Sequence, residues 1–324
     1  MAKHTAVSLF CGSGGLDLGF IAAGFDILLS NDNNENACAS YSKNIGDHVK
    51  CLDIRKLTDV PHADVLIGGP PCQGMSTANP HRAFDDERNW LFREYRRILV
   101  ACNPKIFLME NVAGMTTMED GKIFEIIKAE FESAGYKIHA KLLNSADYST
   151  PQSRKRMIMV GVRNDISAEY SFPDPTSPIR LTAGDAFAQP IDPMDVNHKA
   201  SKLSALNLER IKHIPMGGSM KDCPKELQNN SDLKRAMRRL DLRKPSYTIV
   251  HNNCDHYYHP TEDRRVTIRE MARIQGYPDS YIFTGSKSEQ SRQVGNSVPV
   301  PFATALAGSV KILLDSIDHQ KSTL

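Results

Sequence analysis

The chain has 324 residues, 40% of them apolar and 24% charged, the balance of a soluble globular protein with room for one large domain and a smaller one. No run approaches eighteen consecutive apolar residues and Met1–Phe10 lacks the apolar core and cleavage site of a signal peptide, so no membrane span is expected and a cytoplasmic location is. The net charge of +2 argues neither for nor against nucleic acid, and the odd count of seven cysteines, with no two-residue spacing, predicts neither a disulfide framework nor a zinc site.

In chain order, Thr5 to Phe10 reads as a strand and Leu16 to Ala23 as a helix. Asp26 to Ser30 is a second strand, and Val65 to Ile67 a third that breaks at Gly68-Gly69-Pro70-Pro71. Leu91 to Cys102 is helical, Ile106 to Met109 a strand, Lys122 to Ala134 a helix closed by Gly135, and Met157 to Val162 another strand. This alternation predicts an α/β fold, a doubly wound sheet with mostly parallel strands. From about Phe172 to Pro260 the chain is rich in Pro, Asn, Asp and Ser without alternation, which predicts a smaller irregular domain. Order returns at Arg264 to Gly276, and from Pro299 onward a final helix is expected to return to the sheet. The expected division is 1–176, 177–289 and 290–324.

The first strand runs into Phe10-Cys11-Gly12-Ser13-Gly14-Gly15. Glycines there let the backbone turn tightly and approach a ligand, with a helix N-terminus behind. A plain tight turn is the simpler reading. Asp32, twenty residues beyond Gly12, stands where a nucleoside-binding fold keeps its ribose carboxylate. The third glycine of a dinucleotide fingerprint would fall at Asp17, which disfavours NAD and a nicotinamide oxidoreductase. Asp53 is a second candidate acceptor, for an adenine amino group.

Cys72 follows two prolines at the carboxyl edge of the sheet, where ligands bind in this architecture. The prolines fix the backbone and remove two donors. On these residues alone a nucleophile and a buried core thiol both remain open. Glu110 closes the next strand, so a thiol and a carboxyl group would face one crevice, unless Glu110 is a helix cap or surface ion pair. Gln152, Arg154 and Arg156 alternate, and an extended segment would aim all three at one face, a guanidinium pair for a carbonyl oxygen or phosphate, with Ser153 and Lys155 solvated opposite. Between Lys199 and Lys244, twelve Lys/Arg stand against five Asp/Glu. That run is a solvated face or a phosphate footprint.

Taken in order, these segments resemble the DNA cytosine-5 methyltransferases of bacterial restriction–modification systems. Phe10 to Gly15 resembles the family's F-x-G-x-G-G loop, Pro71-Cys72-Gln73 its Pro-Cys-Gln, Glu110-Asn111-Val112 its Glu-Asn-Val and Gln152-x-Arg154-x-Arg156 its Gln-x-Arg-x-Arg. Arg269-Glu270 with Ala272-Arg273 and Gln275-Gly276 is similar to the segment that organises the recognition domain, and Gln293 to Val298 to the last motif. The match spans Phe10 to about Val298.

The resemblance implies a Rossmann-like catalytic domain that uses S-adenosylmethionine and leaves S-adenosylhomocysteine. Its cofactor residues would be Phe10, Gly12, Gly14, Gly15, Asp32, Asn33, Asp53, Ile54, Pro71, Leu91, Asn296 and Val298. Cys72 would add to carbon 6 of a flipped cytosine, with Glu110 on ring nitrogen 3 and Arg154 and Arg156 on the base oxygen. The segment Gly74 to Trp90 would close over the base, with Ser76 near a phosphate. DNA contacts would come from Gln73, Ser76 and Gln152, and base readout from Ser219, His251, Asn252 or Asn253. His251, His256, His259 and Cys254 match no zinc spacing, so no metal is expected. Two departures, Asp32 where the family often has Glu and Asn33 where it often has a large side chain, predict weaker cofactor binding.

The implied partner is double-stranded DNA, with a cognate restriction endonuclease acting separately, and the enzyme is expected to be a monomer in the bacterial cytoplasm or nucleoid. Two other readings are weaker. Relatives acting on transfer RNA carry a Cys-Phe-Thr segment that is absent here. A catalytically inactive DNA-binding regulator would not need Cys72, Glu110, Arg154 and Arg156 together.

Overall fold

The computed structural model describes residues 3–71, 91–176, 178–228, 237–250 and 257–322. Two compact units divide the chain. One comprises Met1–Asn144, Lys155–Thr176 and Pro301–Leu324, the other Ser145–Arg154 and Ser177–Val300.

The first unit is built on β1 (Thr5–Leu9), α1 (Gly15–Ala22), β2 (Asp26–Asp32), α2 (Glu35–Asn44), β3 (Val49–Cys51), β4 (Val65–Gly68), α3 (Leu91–Cys102), β5 (Ile106–Val112), α4 (Lys122–Glu132), β6 (Tyr136–Asn144) and β7 (Lys155–Arg163). Seven strands form one sheet in the order β3-β2-β1-β4-β5-β7-β6. The first five pair in parallel, and β7 runs antiparallel to both β5 and β6. The chain order reverses between β1 and β4, the switch point at which open α/β sheets bind ligands.

The central strands are apolar on both faces because helices cover both sides: Val65, Leu66, Ile67 and Ile106 to Met109 are fully buried. Phe107 lies on Gly161, its antiparallel partner, where any Cβ would come within 2.0 Å of the ring. Phe131, Tyr95 and Tyr136 surround that ring at centroid distances of 4.8 to 6.0 Å. The Tyr95 hydroxyl is not orphaned, since it donates to Leu66 O at 3.0 Å.

Several expected bounds shift. β5 runs on to Val112 because β7 continues beside it, Asn111 opposite Met157 and Val112 opposite Arg156. Glu110 therefore lies within a strand rather than at its end. β2 extends to Asp32, and β7 begins at Lys155. Three elements, α2, β3 and β6, carry too little apolar pattern to be read: β6 is Tyr-Lys-Ile-His-Ala-Lys-Leu-Leu-Asn at the sheet edge, with four of its nine residues exposed.

The second unit contains short helices α5 (Ala183–Phe187), α6 (Ala205–Lys212), α7 (Ile268–Ile274) and α8 (Lys287–Asn296), and a two-stranded ladder of β8 (Arg238–Arg239) and β9 (Tyr257–Tyr258). Ile211, Ile214, Met220, Cys223, Met237 and Tyr258 form one core. The Arg269-Glu270 segment serves as a scaffold. Arg269, 1% exposed, pairs with Asp195 and donates to Pro278 O and Tyr281 O. Glu270 closes a capping box with Thr267 at the start of α7 and takes Arg264 as ion partner.

The last helix, α9 (Val300–Ser322), is long and apolar, but Phe302, Ala303, Leu306, Ala307, Val310, Leu314 and Ile317 recur at three- and four-residue spacing and are buried, so it is a core helix. A Cβ on Gly19 of α1 would sit 2.6 Å from the backbone nitrogen of Thr304, so the backbones of α1 and α9 touch.

Candidate active site

The glycine loop leaves β1 through unusual backbone. Phe10, Gly12 and Gly14 have φ of 54°, 53° and 76°, the left-handed region. Gly14 also has no room for a side chain, since a Cβ would meet Ile45 Cδ1 at 2.3 Å and the Tyr41 ring at 3.0 Å. A Cβ on Gly12 would meet nothing within 4 Å, so the loop is open to a ligand on that side. Gly15 begins α1, whose N-terminal end lies directly behind the loop.

Asp32 holds this loop. Its Oδ2 accepts from Gly12 N at 2.8 Å and its Oδ1 from Asn34 N at 2.9 Å. Burial lifts its carboxyl above the usual range, against those hydrogen bonds. With the Asn33 N–H as a third backbone donor, the carboxylate keeps one acceptor position for a ribose hydroxyl. Asn33 is exposed. Ile54 is buried, and Phe10, Leu52 and Leu91 are partly buried against the same cluster, an apolar wall suited to a purine. Glycine cradle, carboxylate and apolar wall together fit an adenosyl ligand. Asp53 departs from expectation: Arg55 grips its carboxylate, Nη2 to Oδ2 at 2.6 Å and Nε to Oδ1 at 3.0 Å, and holds its pKa down at about 2. An adenine amino group would have to share that carboxylate with Arg55.

Below the loop, Asp17 forms a polar knot. Its buried carboxylate accepts from Ser8 of β1 at 2.7 Å, Ser30 of β2 at 2.8 Å and Tyr41 of α2 at 2.8 Å. Burial raises its pKa, and the three hydroxyls pull it back. The residue that argues against a dinucleotide thus ties together three elements carrying the loop. Its position alone did not signal this.

The second half of the site lies on β4 and β5. Beyond Gly68, paired with Met109, β4 gives way to Gly69-Pro70-Pro71 while β5 continues. Asn111 Nδ2 donates to Pro70 O at 3.2 Å, tying this turn to β5. A Cβ on Gly69 would lie 3.1 Å from Glu110 Oε2, so glycine leaves room beside the carboxylate. Arg156 Nε donates to Glu110 Oε1 at 2.8 Å, both side chains nearly buried. Pro71, partly exposed, is the last described residue before Cys72.

Gln152, Arg154 and Arg156 do not form the expected row, because only Arg156 lies in β7. Gln152 is fully buried in the second unit, its amide donating to Gln275 and its oxygen accepting from Ile249 N at 2.8 Å. Arg154, 3% exposed, donates to Ile249 O at 2.9 Å and Gly295 O at 3.0 Å. The guanidinium pair expected on one ligand is replaced by one arginine at Glu110 and one anchored in the second unit.

Ser219 caps a short helical turn, its Oγ accepting from Lys221 N at 3.3 Å in a capping box with Asp222, which leaves its O–H as a donor. Asn296 ends α8 exposed and Val298 is buried, both in the second unit. The basic run is only partly surface: Arg210 and Arg239 are buried and donate to carbonyl oxygens. Cys72, Gln73, Ser76, the Gly74 to Trp90 segment, His251, Asn252 and Asn253 lie outside the described residues.

The family model for C-5 cytosine-specific DNA methylases matches residues 4–312. The chain belongs to that family. It is a DNA (cytosine-5)-methyltransferase of the restriction–modification type, with S-adenosylmethionine as methyl donor. It is 38% identical to the Type II methyltransferase M1.HphI of Haemophilus parahaemolyticus, over 94% of this chain and 86% of that one. It is 36% identical to the Type II methyltransferase M.NgoFVII of Neisseria gonorrhoeae, over 95% and 86%. Among solved structures it is similar to a protein described as a DNA modification methyltransferase encoded within an Escherichia coli prophage, at a TM-score of 0.80 and 25% identity over 97% of this chain and all of that one. The Dnmt2 methyltransferase of S. pombe shares the fold, at a TM-score of 0.67 and 18% identity over 98% of this chain and all of that one.

Proposed function

We propose that Cys72 is the nucleophile and Glu110 the acid of the methyl transfer. The observation that carries this is the Glu110 carboxyl, held by Arg156 at 2.8 Å and left room by Gly69, on the strand that Asn111 ties to the turn just before Cys72. The target carbon is stacked inside a duplex, so the cytosine is flipped out, at a cost of a few kcal/mol. Glu110 hydrogen-bonds or protonates ring nitrogen 3, and the Cys72 thiolate adds to carbon 6. That addition makes carbon 5 nucleophilic. S-adenosylmethionine supplies the methyl group as an electrophile. Loss of the carbon-5 proton to a base then restores the ring and expels the Cys72 thiolate.

Arg156 orients Glu110 and lies within reach of the base oxygen. Arg154 holds Ile249 and Gly295 in the second unit. Phe10, Gly12, Gly14, Gly15, Asp32, Asn33, Ile54, Pro71 and Leu91 hold the cofactor. The second unit is the target recognition domain, with the exposed part of its basic run on the phosphates. The enzyme works as a monomer in the bacterial cytoplasm, and a separate endonuclease cuts the same sequence when unmethylated.

Bisulfite sequencing of DNA from cells expressing the protein tests this. Carbon-5 methylation in one short context is expected, and Cys72→Ser should abolish it. Undiminished methylation by Cys72→Ser would sink the nucleophile assignment.

A further inference from the structure

β8 places two arginines on opposite faces. Arg239 is turned inward, its side chain 7% exposed, and donates to Ile211 O, Glu262 O and Asp263. Arg238 is turned outward and half-buried, its guanidinium carbon 4.5 Å from the centroid of the exposed Tyr247 ring. Among the described residues no carboxylate pairs with Arg238. The next basic residues differ, since Arg243 is bonded to Asp241 at 3.0 Å and Lys244 lies 3.9 Å from it.

The surroundings of Arg238 are fixed. Its backbone bridges to Ser219, Arg239 N donates to Gly218 O at 2.9 Å, and Leu240 N to Tyr258 O at 3.1 Å. Its strand partner Tyr257 is tied down by a 2.7 Å hydrogen bond from its hydroxyl to Thr248 O. An aromatic face stacks a guanidinium and sets its plane. What results is a planar fork of donors, set against an aromatic face and without a carboxylate partner among the described residues.

Bound DNA offers two matching acceptor pairs, the O6 and N7 of guanine in the major groove and the oxygens of a phosphate. A phosphate accepts from many directions and needs no fixed plane. A base edge accepts only in its own plane, so a stacked arginine suits it. We propose that Arg238, held by Tyr247, is a specificity-determining residue that reads one guanine of the recognition sequence. This rests on the second unit being the target recognition domain.

The test uses the full-length protein with S-adenosylmethionine and a DNA library, read by bisulfite sequencing at several salt concentrations. The wild type should methylate one context. No carbon-5 methylation by the wild type would overturn the functional assignment itself. Arg238→Ala and Arg238→Lys should lose about 10- to 100-fold of the preference for guanine at one position, with the remaining positions still discriminated and the salt dependence nearly unchanged. Lysine keeps the charge and most of the stem, so it carries the test if the alanine variant does not fold. A uniform fall in affinity with the salt slope reduced by about one would make Arg238 a phosphate contact and overturn the inference. Unchanged preference in both Arg238 variants would overturn it equally.

Discussion

Glu110 and Arg156 are a diagonal pair across two antiparallel strands. Glu110 stands opposite Ile158, Arg156 opposite Val112, and Nε meets Oε1 at 2.8 Å. The ion pair leaves Oε2 turned toward Gly69. Glu110→Gln keeps the shape and a hydrogen bond but cannot deliver a proton. Turnover should fall by about 10²- to 10⁴-fold, while S-adenosylhomocysteine binding, measured by calorimetry, stays within a fewfold. Wild-type turnover in this variant would remove Glu110 from the chemistry.

Gly14 is confined by conformation and by space. Gly14→Ala puts a Cβ at φ 76° against Ile45 and Tyr41. The cost should be about 1–3 kcal/mol in urea unfolding, together with weakened S-adenosylhomocysteine binding. Stability and binding both unaffected would mean that the loop has another conformation at hand.

Asp53 titrates at about 2 because of Arg55. Its folded pKa is lower than its unfolded one, so the pair stabilises the fold above about pH 4 and this contribution fades as pH falls toward 2. Both groups are substantially solvated, which limits the effect at pH 7 to under about 1 kcal/mol. In Arg55→Ala the backbone N–H of residue 55 remains but the guanidinium is lost, so the Asp53 carboxyl should titrate above its wild-type value, followed by carboxyl carbon NMR at acid pH. A titration unchanged from the wild type would show that Arg55 is not the cause.

Gln152 joins Gln275 to Ile249 inside the second unit. Gln152→Ala leaves both partners buried without it and should cost about 1–3 kcal/mol. Arg154→Lys, which cannot span Ile249 O and Gly295 O as a fork, should cost a similar amount. Differential scanning calorimetry would register each as a lowered Tm. An unchanged Tm in both would contradict the anchoring role.

The first unit was legible where physics repeats. Apolar runs that must be buried on both faces mark β1, β4 and β5, and a glycine loop between strand and helix has few alternatives. β6 was invisible because an edge strand needs an apolar face on one side only, and β3 because three residues hold no pattern. At the site, Asp32 and Glu110 could be placed by their distance from strand ends. Gln152 and Arg154 could not, because their partners Gln275, Ile249 and Gly295 lie 95 to 141 residues away and leave no local trace. The capping role of Ser219 was not legible either, because a serine at a glycine turn has the same spelling whether it caps a turn or meets a base.

The contact of Gly19 with Ala303 and Thr304 has a temporal meaning as well. The first unit takes its opening strand and helix from the earliest part of the chain and its closing helix from the last. During synthesis α1 must wait, its glycine face uncovered, while all 278 residues from Gly24 to Pro301 emerge. A ribosome stalled before α9 therefore releases a chain whose inserted unit is complete but whose first unit lacks its closing helix. Truncation of α9 should accordingly be felt first at α1.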